Sequence, residues 1–66
     1  MKEYDVNAEG YYAERDRYGM WGWTWHTDLR FRVTAANADE ACAKVHSIYD
    51  AHLKFRGLRN LRATEA

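Results

Sequence analysis

Four side chains in the chain are of the kind that bind metals or move protons near neutral pH: Cys42, the only cysteine, and the three histidines His26, His46 and His52. Cys42 and His46 stand four residues apart, a spacing that puts both on one flank of a helix as a pair of metal ligands, with His26 or His52 as a third. Structural zinc sites draw on two closely spaced ligand pairs, and here one pair stands alone. A small buried thiol and a boundary imidazole account for these residues more simply. His52 falls within an apolar stripe, where its simplest role is a partly buried ring bonded to a backbone carbonyl or a tyrosine hydroxyl. No nucleophile is spaced with an activating base and an orienting third group. The chain therefore reads as a non-enzymatic protein with no catalytic residue, no metal and no cofactor.

Binding chemistry is better represented. Tyr12, Trp21, Trp23 and Trp25 form an aromatic group of the type that anchors protein interfaces. Lys54, Arg56, Arg59 and Arg62 form a basic run near the C-terminal end, and with exposed rings for base stacking they compose a nucleic-acid interface. A formal net charge of zero argues against a domain that lives on phosphate contacts. Charge is nevertheless uneven: residues 1–28 hold three basic and six acidic side chains, residues 44–66 five basic and two acidic. That asymmetry suits internal complementarity, head-to-tail association or an anionic partner.

These groups need a scaffold, and 66 residues supply a single domain with a thin core. A chain this short usually gains stability from disulfides, a metal or a second subunit, and a lone cysteine removes the first. Hydrophobic content of 47% predicts a folded chain. The lone thiol and the lack of an apolar signal or spanning segment lead to the expectation of a cytoplasmic protein without a membrane partner.

Alternation with period two predicts strands over 3–14 and 20–35, with Tyr4, Val6, Ala8, Gly10 and Tyr12 on one face of the first and Trp21, Trp23, Trp25, Leu29, Phe31 and Val33 on one face of the second. The polar stretch Arg15–Gly19 joins them as a hairpin. Pairing residues whose numbers sum to 35 sets Glu3 against Arg32, Asp5 against Arg30 and Trp25 over Gly10. A sum of 37 sets Glu9 against Asp28, so 35 is preferred. Asn37 caps a predicted helix over 38–56, with Glu40 three residues on and Gly57 as its stop. Residues 58–66 are read as a basic tail or one short extra C-terminal element. The fold class is α+β, a long hairpin packed on one amphipathic helix.

That helix is too short to cover the whole hairpin, so Trp21, Trp23 and Tyr12 are expected to outrun it and leave an apolar patch. Three covers are open: the chain's own Leu58 and Leu61, a symmetric homodimer, or a different molecule, the homodimer being preferred. The run Leu29–Val45 (LRFRVTAANADEACAKV) resembles the strand, cap and helix of many small accessory proteins of bacteriophages, over about a quarter of the chain. The resemblance implies a protein that binds a bacterial host or defence factor in the host cytoplasm, or regulates DNA. The leading expectation is thus a protein–protein interaction protein using the aromatic surface, and the alternative is a DNA- or RNA-binding regulator using the basic run.

Overall fold

The computed structural model describes all 66 residues. The acidic alternation at the start of the chain forms β1 (Lys2–Arg15), and the Trp-rich alternation forms β2 (Trp21–Ala35), antiparallel to it. Asp16 closes the hairpin: its Oδ1 accepts the backbone N–H groups of Tyr18 (2.8 Å) and Met20 (3.0 Å), and Gly19 takes a left-handed φ of 78°. A short polar side chain that mimics a turn carbonyl, followed by a glycine free of Cβ strain, is what such a connection requires.

Helix α1 (Ala38–Tyr49) starts where Asn37 caps it, its side-chain oxygen accepting from Glu40 N–H at 2.8 Å. It ends seven residues earlier than the sequence predicts. Ala51 adopts a left-handed φ of 63°, and the Asp50 carboxylate turns back to accept the N–H of Leu58 (3.1 Å) and to meet His46 (3.3 Å). An aspartate that bonds a distant backbone group favours leaving the helix over continuing it. His52, Leu53 and Lys54 lie in the loop that follows.

The C-terminal segment, read as a basic tail or a short extra element, is a full third strand, β3 (Phe55–Glu65), antiparallel to β1 on the side away from β2, so the sheet order is β2-β1-β3. Its residues do not alternate with period two, so its sequence lacks the usual strand signature. It carries two bulges, each with a left-handed residue, Gly57 (φ 64°) and Asn60 (φ 54°). Glycine and asparagine are the residues that tolerate this conformation, and each bulge adds one residue to the strand.

The core lies between the sheet and α1: Tyr4, Val6, Ala8, Phe31, Ala35, Ala41, Val45 and Leu58, with Val6 and Val45 wholly enclosed. Leu58 and Leu61 are part of this layer, so they do not fold over the tryptophans. Gly10 is covered by Leu58 rather than by Trp25. A Cβ built at Gly10 would stand 2.7 Å from Leu58 Cδ2, and 3.2 and 3.3 Å from the β3 backbone. The bare backbone at Gly10 is thus what lets β3 close on β1.

The register also differs from the charge-based expectation. Residues 2–8 of β1 pair with residues 29–35 of β2 at a sum of 37, then the register shifts by one and residues 10–15 pair at a sum of 36. The objection to 37, Glu9 facing Asp28, disappears because the irregularity falls at this point. Glu9 has no direct partner in β2, and its carboxylate instead accepts from Asn60 Nδ2 at 2.8 Å on the β3 side. The favourable charge pairing survives in another form, with Arg32 bonded to Asp5 (2.5 Å) directly opposite and to Glu3 (3.3 Å) diagonally. The hydrogen bond to Asp5, then its charge, holds the Arg32 guanidinium even further above neutrality than usual.

A candidate aromatic and guanidinium interface on the open sheet face

The bulge in β2 decides where the tryptophans go. Without it, Trp21, Trp23 and Trp25 would share a face with Leu29, Phe31 and Val33. Because two residues of β2, Thr27 and Asp28, oppose the single Glu9, the strand inverts between its halves. His26, Thr24 and Gly22 now sit opposite Gly10, Tyr12 and Glu14 on the helix side, and the three tryptophans sit opposite Tyr11, Ala13 and Arg15 on the face that no helix covers. These three residues are 60%, 40% and 39% exposed, and Tyr11 joins them at 43%. Trp21 and Trp23 are exposed as the sequence predicts, but because they lie on the open face and not because the helix is too short.

The two bulges of β3 do the same for the arginines. Arg56, Arg59 and Arg62 are three residues apart, so in a regular strand Arg59 would face away from the other two. The extra residue in each interval restores the parity. Arg56, Arg59 and Arg62 oppose Tyr11, Glu9 and Asn7, all open-face positions, while Leu58 and Leu61 turn inward. The repeat Arg-Gly-Leu-Arg-Asn-Leu-Arg in residues 56–62 is the sequence signature of this arrangement.

Both sets of predicted binding residues therefore meet on one surface. Arg56 stacks on the Trp23 ring at 4.5 Å, Arg59 on Trp25 at 5.2 Å and Arg15 on Trp21 at 5.0 Å, and Tyr11 meets Trp25 edge-on at 5.1 Å. Each exposed pairing contributes on the order of 0.5–1 kcal/mol. None of Arg15, Arg56, Arg59 or Arg62 forms an ion pair. The tip half of this face thus combines stacked aromatic rings with cations that have no carboxylate partner. The other half is internally neutralised, with Arg32 between Glu3 and Asp5.

Two predicted members fall elsewhere. Tyr12 points to the helix side, against Phe55 (5.2 Å) and His26 (5.9 Å), so it belongs to the inner aromatic cluster, and Tyr11 takes its place on the open face. The Lys54 carbonyl accepts the N–H of Ala13 at the start of β3, beside a shallow apolar groove also lined by Trp21, Gly22, Trp23 and Leu53. Cys42, His46 and His26 do not converge. Cys42 is half-buried against the core, His46 meets Asp50, and His26 bonds Glu14 across the hairpin. No cluster of three or more such side chains has metal-binding geometry. No helix is long and apolar enough to cross a membrane.

Comparison with protein families, curated proteins and solved structures finds no match for this chain.

Proposed function

We propose that the open face of the sheet binds single-stranded nucleic acid, with bases stacking on Tyr11, Trp21, Trp23 and Trp25 and phosphates drawn to Arg15, Arg56 and Arg59. One observation carries this reading: three separate bulges bring three tryptophans and three arginines to the same uncovered face, where the guanidinium groups lack acidic partners. A flat array of rings interleaved with cations is what sequence-tolerant single-strand recognition uses, because every base has a π-face and every nucleotide a phosphate. An open antiparallel sheet backed by a helix supports it, since unstacked bases need a broad, accessible platform. The zero net charge of the chain bears less on the question than its local arrangement, because most carboxylates lie in the neutralised half, in the turn or on the helix side.

Titration of a short oligothymidine or oligouridine, followed by Trp emission and by anisotropy of a labelled strand, tests this. Emission should quench on binding, and duplex DNA should compete poorly. Affinity should fall with added salt by about 0.7 log units per log unit of salt for each phosphate neutralised. Arg56→Gln and Arg59→Gln should each remove about one such increment. Trp23→Ala should cost about 1–3 kcal/mol of binding. Absence of quenching and of anisotropy change at low salt would overturn the proposal.

A second reading rests on the groove beside Ala13, where Leu53 is 88% exposed next to Trp21 and Trp23. A protein partner, such as the bacterial host factor that the phage resemblance implies, would insert an apolar side chain there. Its binding would be nearly insensitive to salt and to Arg59→Gln.

A further inference from the structure

We infer that this chain pairs with a second copy of itself along the free edge of β2, with the two-fold axis at Trp23, giving a continuous six-stranded sheet. The inference rests on the two sheet edges and the hairpin tip, not on the nucleic-acid reading.

The edges are unlike. β3 is interrupted by left-handed residues at Gly57 and Asn60, and bulges are a common means of making an edge unfit to receive another strand. β2 runs from Trp21 to Trp25 without a bulge, a proline or a charged residue. Long, uncharged, aromatic-rich edges of this kind are ones that monomeric proteins avoid. The Arg30 and Arg32 side chains protect the other half of the same strand.

The direction of the backbone groups fixes the register. The N–H of Asp16 donates to Met20 C=O, so Asp16 and Met20 are a bonded pair, and in an antiparallel ladder the bonded pairs alternate. Gly22, Thr24 and His26 therefore turn their backbone groups toward β1, and Trp21, Trp23 and Trp25 turn theirs outward. The bond from Ala13 N–H to Lys54 C=O agrees, since odd-numbered residues of β1 then address β3. Only odd positions of β2 at the tip can bond a new strand. A two-fold through Trp23 pairs Trp23 with its own copy and Trp21 with Trp25 of the partner, which uses all three outward residues in each chain. Sliding by one bonded pair leaves one of them unused. The six indoles then lie side by side on the open face, and Gly22 faces Thr24 on the other.

The shape of the monomer supports an occupant at this edge. Beyond Phe55 the hairpin is a two-stranded ribbon, a unit of marginal stability on its own. The radius of gyration is 12.8 Å, against about 10.8 Å for a compact chain of this length. The surface is 4838 Å², against about 4,400 Å² for a compact monomer of this mass.

Two measurements on the full chain, without nucleic acid, test the inference. Amide exchange across a concentration series should show the Trp21, Trp23 and Trp25 N–H groups becoming protected as concentration rises, while sedimentation equilibrium shows the mass doubling. Chemical synthesis with an N-methyl group on the Trp23 amide keeps every side chain and every β1 bond, and should return the protein to a monomer. A constant monomer mass up to millimolar concentration would overturn the inference. So would a dimer that survives N-methylation, or one whose protection appears on β3. Nucleic-acid binding is scored separately on the N-methylated monomer, which retains the rings and arginines, so failure of one reading leaves the other readable.

Discussion

Replacing Gly10 with alanine gives the sharpest test of how β3 closes on the hairpin. The new methyl would meet Leu58 Cδ2 at 2.7 Å, a contact that rotation of the leucine side chain relieves in part. It would also meet Arg56 O and Leu58 Cα at 3.2 and 3.3 Å, which only a backbone shift relieves. Overpacking of this kind costs about 1–3 kcal/mol. Losing the extra freedom of glycine in the unfolded chain returns about 0.4–1 kcal/mol, so the net loss should be about 1–2 kcal/mol. Leu58→Ala alone should cost about 2–4 kcal/mol, because Leu58 is 5% exposed. In the double variant the side-chain clash vanishes and the backbone contacts stay, so the two changes should couple favourably by roughly 1 kcal/mol. Trp25, on the opposite face, should couple with Gly10→Ala by less than about 0.5 kcal/mol. Urea unfolding followed by far-UV circular dichroism, with a shared slope across the variants, measures all of these. Coupling to Trp25 larger than coupling to Leu58 would refute both the register and the bulge.

Three further substitutions probe local backbone geometry. Gly57→Ala has room, its nearest neighbour being Tyr11 Cδ2 at 3.7 Å, but the left-handed φ should make it destabilising by about 1 kcal/mol in thermal or urea unfolding, with Gly57→Asn milder. Ala51→Gly should raise stability by about 0.5–1 kcal/mol, since the present alanine bears the left-handed strain at the end of α1. Asn37→Ala should cost about 1 kcal/mol and lower helical ellipticity, through loss of the bond to Glu40 N–H.

Part of this architecture is legible in the residues themselves. The strands over 3–14 and 20–35, the Arg15–Gly19 connection and the Asn37 cap are local, and the structure places each of them within a residue of those bounds. Parity across β2 is not legible, because Trp25, Thr27 and Leu29 continue an unbroken alternation in sequence while the bulge at Thr27 and Asp28 inverts it in space. Charge pairing pointed to the wrong register for a related reason: a uniform ladder penalises Glu9 opposite Asp28, and a bulge at that point removes the penalty. β3 escapes a period-two search because its repeat is three, yet Gly57 and Asn60, each preceded by arginine and followed by leucine, record its geometry. The helix over-extends in sequence because Ile48, His52 and Leu53 continue an apolar stripe, although Ile48 and Leu53 are solvent-exposed and the Asp50 carboxylate is committed to Leu58 N–H. The candidate site was divided between two sets of residues, one aromatic and one basic, whose union depends on pairing over more than thirty residues of sequence.

Whether the open face holds single-stranded nucleic acid is decided by a two-dimensional NMR titration that follows the three indole N–H resonances and the arginine side chains as a short single-stranded oligonucleotide is added at low salt. Shifts should concentrate at Trp21, Trp23, Trp25, Tyr11, Arg56 and Arg59, with α1 and the inner cluster of Tyr12, Phe55 and Tyr49 unmoved. Shifts confined to α1 or to the inner cluster, or no shifts at all, would contradict binding at this face.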